Sequence, residues 1–333
     1  RVRPNGMLGD TLLQALITSD YVPTLALRPE GTALTVGTAT KAQRPTALPD
    51  SVLWLPHTNG VLHEWAFDTG TAETLRELPG AVPSALAYAP DGRLYSATSS
   101  GPVLAWPADT TATPDTLAAL PEGVDALRIH PSGQWGAAVV DDNYDDPGEL
   151  YVWDLQAGAV HDSLHTEAST RGALAFHPTE PVLAMPGTCA GDSLCVQWVD
   201  LQARQVVRTM PFHDIASGFV SLAFSPSGRW LAASVGDRLT MWDATTGRVA
   251  FERENDTFAY AHALAFTADE TGLLDVVTDD GQGAVRHWDL RAITQPSSPT
   301  ALEMVIQEGH AASVEALAFA PDNRLLATGD NEG

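Results

Sequence analysis

A short pattern, apolar–small–apolar–x–Pro–x–Gly, returns along the chain and restricts its fold more than any other feature. The copies are LALRPEG from Leu25, LAYAPDG from Leu86, LRIHPSG from Leu127, LAFHPTE from Leu174, LAFSPSG from Leu222, LAFTADE from Leu264 and LAFAPDN from Leu317. Large residues recur at period two (Leu86 and Tyr88, Leu222 and Phe224), the spacing of a strand with two distinct faces. Proline favours the second position of a type I turn and glycine its end. A second apolar run follows each turn, such as RLYSAT, RWLAAS or RLLATG. Each copy therefore predicts a hairpin. A third strand carries a tryptophan in six copies: Trp65, Trp106, Trp153, Trp198, Trp242 and Trp288, spaced by 41, 47, 45, 44 and 46 residues. Turns such as FDTG and DATTG then lead into a fourth, amphipathic strand, AETLREL or RVAFER.

That period is close to the roughly 40–45 residues of a four-strand propeller blade. Trp153-Asp154, Trp242-Asp243 and Trp288-Asp289 are literal WD dipeptides, and Trp65-Ala66, Trp106-Pro107 and Trp198-Val199 are degraded versions. The chain resembles the WD40-repeat family along nearly its whole length. The resemblance implies an all-β, seven-bladed propeller of four-stranded antiparallel blades, with residues 1–333 as a single domain. The last copy stops at Gly333, between its second and third strands, while the opening RVRPNGMLGDTLLQAL aligns with what should come next. Residues 1–17 are expected to pair with 314–333 in one blade, which closes the ring and removes exposed sheet edges. A propeller also suits the length, because 333 residues exceed the roughly 250–300 at which a single core stops growing. Near a crowded axis the small residue of the first strand makes sense: Ala26, Ala87, Ala175, Ala223, Ala265 and Ala318. Arg128 takes the seventh place.

Loop lengths suggest where recognition occurs. The turns between first and second strands are uniformly short, whereas the second-to-third connections vary. The first full blade has an insertion at residues 38–59 carrying KAQRP, the third has DDNYDDPGE from Asp141 to Glu149, and the fourth has GTCAGDS. The stretch from Arg291 to Ala312 reads as a long, Pro/Ser-rich fourth-to-first connection on the same side. Loops on a rigid scaffold are where binding usually evolves, so this face is the expected docking side, with Lys41, Arg44, Tyr144 and Asp145 as contact candidates. Arg128 admits two readings: a channel plug paired with a carboxylate such as Asp125, or a guanidinium offered to an anionic ligand. Asp141, Asn143 and Asp145 have the alternating spacing of a calcium loop, but Asp146 stands where glycine is wanted and no acidic twelfth ligand follows. A solvated acidic turn is the plainer reading, and no other cofactor is indicated. Cys189 and Cys195 flank AGDSL and are placed for a cross-strand disulfide; two reduced cysteines are the default, and a bond would imply an oxidising compartment.

The resemblance also implies a buried network of histidine, hydroxyl, tryptophan and aspartate in each blade. Only Gly309-His310 supplies a literal Gly-His pair, with Thr328 as its hydroxyl; Ser234 and Asp237 are placed near Trp242. His130-Pro131 and His177-Pro178 read as surface turn residues, and His63-Glu64 as a strand coincidence. No nucleophile elbow, H-E-x-x-H or phosphate-cradling glycine loop is present. The expected role is a non-catalytic platform for a protein or peptide; the rival is a propeller hydrolase or lactonase-like enzyme with a divalent metal at the channel mouth. Acidic residues exceed basic ones by 42 − 18 = 24, which disfavours nucleic acid and anionic membranes and favours a basic partner. A monomer, or one part of a larger multidomain chain, is expected. The compartment reads as cytoplasmic unless the two cysteines are bonded.

Overall fold

A computed structural model describes residues 21–41, 57–99, 101–108, 113–120, 123–140, 149–157, 159–165, 173–189, 193–212, 220–235, 238–254, 260–279, 282–291, 303–310, 314–319 and 326–330. These residues form six four-stranded sheets and one two-stranded sheet, each an antiparallel meander. The first sheet contains β1 (Tyr21–Leu27), β2 (Ala33–Lys41), β3 (His57–Ala66) and β4 (Thr71–Pro79). The second contains β5 (Pro83–Tyr88), β6 (Leu94–Thr98), β7 (Val103–Trp106) and β8 (Asp115–Ala118). The third contains β9 (Val124–Ile129), β10 (Trp135–Val140), β11 (Glu149–Asp154) and β12 (Ala159–His165). The fourth has β13 (Ala175–Phe176), β14 (Val182–Cys189), β15 (Ser193–Asp200) and β16 (Gln205–Pro211). The fifth has β17 (Val220–Phe224), β18 (Trp230–Val235), β19 (Arg238–Asp243) and β20 (Val249–Glu254). The sixth has β21 (Tyr260–Phe266), β22 (Gly272–Asp279), β23 (Gln282–Asp289) and β24 (Glu303–His310). The last is β25 (Val314–Phe319) with β26 (Leu326–Asp330).

The sheets meet chiefly through their first strands, in the order β1, β5, β9, β13, β17, β21, β25, and β25 also touches β1. Period-two alternation gives each sheet two apolar faces, so buried side chains gather between sheets. Ala26 and Leu62 of the first sheet pack on Leu86, Leu94 and Trp106 of the second. Trp198 and Met210 of the fourth meet Leu231 and Trp242 of the fifth. Ala327 of the last sheet lies against Leu34 and Val36 of the first. Every repeat tryptophan lies on a third strand and is buried, with Trp153, Trp242 and Trp288 essentially sealed from water. At about 25 cal/mol per Å2 of apolar surface, these layers are the main stabilising term.

The Pro-x-Gly turns behave as their composition predicts. Gly31, Gly92, Gly133 and Gly228 have positive φ (69°, 83°, 70° and 76°), and each donates its N–H to the carbonyl three residues back. In the sixth sheet the pattern degrades to ADE, and Glu270 is forced into the same conformation at φ 56°. Its carboxylate accepts from the backbone and hydroxyl of Ser227 in the fifth-sheet turn, which offsets the strain.

Two expectations about connections need correction. Strands β2 and β3 continue through Lys41 and from His57, so residues 38–41 and 57–59 of the expected insertion are paired backbone (Thr38 with Val61, Lys41 with His57). The Arg291–Ala312 stretch is not a fourth-to-first connection. Within it, β24 pairs with β23 from Trp288 opposite Glu303 to Gly283 opposite His310. Residues 290–302 therefore join third and fourth strands, at the end of the sheet where the short first-to-second turns also lie. The misreading arose because EMVIQEGH lacks the marked alternation of other fourth strands. Residues 1–17, expected to complete the last sheet, lie outside the described residues.

A Cβ at Gly228 would sit 2.2 Å from His177 Nε2 across the sheet boundary, in a positive-φ turn. Gly228→Ala is expected to cost about 1–3 kcal/mol in urea unfolding. Gly247→Ala, at φ 71° with nothing within 4 Å, is expected to show only the backbone part, about 1 kcal/mol.

Candidate functional site

One end of the sheets is taken up by contacts between the short turns. His130 Nε2 lies 2.9 Å from Glu180 O, linking the third- and fourth-sheet turns. His177 abuts Gly228 of the fifth, and Ser227 binds Glu270 of the sixth. His130 and His177 are therefore not surface residues; they are 3% and 7% exposed and bridge successive sheets. The same end carries a polar cluster between the first two sheets. Arg28 Nε donates to Glu64 Oε2 (2.8 Å), Tyr88 OH donates to the same oxygen (3.1 Å), and Thr35 Oγ1 lies 2.6 Å from Tyr88 OH. The Arg28 guanidinium also stacks over the Tyr88 ring at 5.5 Å. Burial pushes the Tyr88 phenol up to about 12. Glu64 is the carboxylate on which this cluster converges.

At the opposite end, the second-to-third and fourth-to-first connections leave the sheets. Lys41 closes β2 there, its backbone opposite His57. Arg44, Asp141, Asn143, Tyr144 and Asp145, including the calcium-type spacing, lie outside the described residues. Cys189 and Cys195 are joined by a disulfide across β14 and β15, with Cα atoms 5.9 Å apart, against the default of two reduced thiols. The register explains the geometry: Cys189 faces Ser193 and Cys195 faces Gly187, so the cysteines are diagonal neighbours on one sheet face. Among the described residues no group of three His, Cys, Asp or Glu is placed to hold a metal ion, and no helix is long and apolar enough to cross a membrane.

Arg128 lies on the innermost strand of the third sheet. It is exposed to solvent on that strand, and desolvation lowers its basicity. Its Nη1 donates to Leu127 O at 2.9 Å, and among the described residues no carboxylate pairs with it. Asp125 lies at a register irregularity of β9, between Val124 opposite Val140 and Ala126 opposite Val139.

Two stretches, residues 204–243 and 303–333, match the family model for the WD domain, G-beta repeat. A chain in the crystal structure of the mitotic checkpoint complex superposes with a TM-score of 0.69 at 17% identity, covering 95% of this chain and 86% of that one. These two stretches are WD40 repeats. No curated protein matches the sequence. The first matched WD40 stretch runs from the fourth strand of one sheet through three strands of the next, so sequence repeat and sheet are offset by one strand.

The WD40 tryptophans show why the inner network is incomplete. The decisive position lies two residues beyond the one facing the tryptophan on the second strand. In the second sheet it is Ser96, which accepts from Trp106 Nε1 at 2.8 Å. In the sixth it is Asp275, which accepts from Trp288 Nε1 at 3.0 Å and from Arg286 directly opposite. In the first, third and fourth sheets it is Val36, Ala138 and Pro186, and there Trp65, Trp153 and Trp198 leave Nε1 without a partner. Ser234 fails for a simpler reason: Trp242 faces Leu231, so Ser234 is on the other face, and its hydroxyl is unpartnered. Asp237 lies outside the described residues, and Thr328 holds the Ser96 register position in the last sheet.

Asp275 and Arg286 form a buried ion pair, 0% and 7% exposed at their side chains. Removing Asp275 alone strands a buried guanidinium, so Asp275→Ala is expected to cost about 3–5 kcal/mol in urea unfolding. Combining Asp275→Ser with Arg286→Leu reproduces the second-sheet arrangement of Ser96 opposite Leu104, and is expected to recover most of that loss.

Burial lowers the titration of His63, His177 and His287 below the ordinary 6.5. Their stability contribution is present above about 6.5 and is lost as pH falls from there through the lower folded-state values, because the unfolded state takes up protons first. Asp243, Asp269 and Asp289 are held below the ordinary 3.8, chiefly by hydrogen bonds from Thr246, Thr267 and Arg291. Their contribution is lost only as pH falls below that lower value. The melting temperature is expected to fall between pH 7 and 5, and His287→Gln to flatten that segment while leaving the decline below pH 4 unchanged.

Proposed function

We propose that this WD40-repeat chain is a non-catalytic platform that binds a protein or peptide through the face bearing its second-to-third and fourth-to-first connections. The WD40 match and the propeller fold support an interaction role in general. One observation supports the choice of face. At the other end, the turns are committed to each other through His130, His177, Ser227 and Glu270, which leaves them little freedom to vary for recognition. The favoured end carries the long spans 42–56, 141–148 and 213–219 and the Cys189–Cys195 staple. The surplus of 24 acidic residues favours a partner with a basic surface. A disulfide at this position also favours an oxidising compartment over the cytoplasm. Fold alone selects no partner, since 1614 solved chains share it.

Affinity capture from source lysate tests the face directly. Replacement of residues 42–56 by a short Gly/Ser turn, or Lys41→Ala with Arg44→Ala and Tyr144→Ala, is expected to abolish capture. Arg93→Ala, at an exposed Asp91–Arg93 pair on the opposite end, is expected to leave it intact. The reverse pattern would overturn the choice of face.

A further inference from the structure

A fourth strand is the open edge of each four-stranded sheet, and its outward N–H and C=O groups can pair with another chain unless something blunts them. All six fourth strands carry a bulge against the third strand, so that device sets none of them apart. Five of the six also contain at least one carboxylate, such as Glu77 in β4 or Glu252 in β20. Strand β16, with the sequence QVVRTMP, contains none. Its only charge, Arg208, is half-buried over the Trp198 ring and donates to Ala244 O and Thr245 O of the fifth sheet. Val206 and Val207 are 47% and 51% exposed; with Val249, at the start of β20, they are the large hydrophobic side chains exposed among the described residues. Arg204 and Arg248 are exposed too, each six residues past a repeat tryptophan (204 − 198 and 248 − 242) and just before or at the entry to β16 and β20. The nearby Asp200 and Asp243 are engaged by backbone N–H groups of their own turns. A strongly acidic chain therefore presents, at this one seam, an apolar strand edge flanked by arginines.

We propose that the open edge of β16 docks an extended segment of a partner protein in which carboxylates alternate with aliphatic side chains. The edge backbone supplies hydrogen bonds and Val206 and Val207 supply apolar contact. Arg204 attracts carboxylates at one end, and Arg208 ties β16 to the turn that carries Arg248. A second copy of this chain is a poorer occupant. Pairing β16 with itself brings arginines together with no carboxylate from either strand to meet them, and two copies that each carry a surplus of 24 acidic residues repel. This surface is separate from the loop-bearing face and selects the opposite charge.

The probe is a fluorescein-labelled, end-blocked octapeptide of alternating Glu and Val, followed by fluorescence anisotropy with the intact chain. Saturable binding that weakens with added salt is expected. Val207→Glu combined with Arg204→Glu puts carboxylates on the edge and is expected to weaken binding at least about tenfold. Both positions are exposed, so the melting temperature is expected to stay within about 2 °C of the unaltered protein. Arg204→Glu alone, outside the strand, is expected to weaken binding about threefold. Glu77→Ala on the edge of β4, and replacement of residues 42–56, are expected to leave it unchanged, which separates this surface from the face assigned above. No saturable binding, equal binding of a Lys/Val counterpart, or unchanged affinity in the double variant would overturn the proposal. Sedimentation showing a dimer that Val207→Glu abolishes would assign the edge to a second copy and overturn the choice of occupant.

Discussion

No sheet of this protein has a core of its own. Each is apolar on both faces, and its stability comes from the neighbour on either side, so the packing between sheets is the constraint from which the rest follows. Tryptophans on the third strands fill the wide part of each layer; Trp153, for example, lies with Tyr95 and Val103 of the preceding sheet. Alanines such as Ala26 and Ala175 let the first strands converge. The layers recur with similar chemistry, which is why a length beyond the reach of one core presents no difficulty.

The repeat made the architecture legible because hairpin turns and strand alternation are local properties. Six tryptophans and seven turn motifs mark strand identity without any knowledge of tertiary contacts. What was misplaced depended on weaker local signals. EMVIQEGH pairs as a fourth strand although its alternation is poor, and the boundaries of β2 and β3 extend past the point where the sequence turns polar. The docking candidates Arg44, Tyr144 and Asp145 fall in connections whose positions follow from no periodicity at all. Lys41 is fixed only because ladder pairing reaches it.

Polar chemistry was the hardest to read, because its meaning lies between strands. His130 and His177 look like surface turn residues until the next sheet is placed beside them. Asp275 looks like an interruption of an apolar strand, yet it accepts from Trp288 and Arg286 at once. The signal that reveals it is register: an acceptor two residues beyond the position facing the tryptophan. That rule separates Ser96 and Asp275 from Val36, Ala138 and Pro186, and it accounts for the unpartnered indole nitrogens of Trp65, Trp153 and Trp198. Arg128 was visible from the start as the single exception in a column of alanines. The structure adds that its Nη1 donates to Leu127 O and that no carboxylate among the described residues pairs with it.

The Arg28–Glu64–Tyr88–Thr35 cluster has a further consequence for assembly. Apolar layers are nearly interchangeable, so hydrophobicity alone does little to tell a growing array which wedge belongs beside which. At the seam between the first two wedges, any substitute neighbour would leave Glu64 with fewer donors and Thr35 facing hydrocarbon. That seam acts as a lock-and-ward: it fixes the order of adjacent modules and resists exchange of wedges between copies while the chain is still finding its shape.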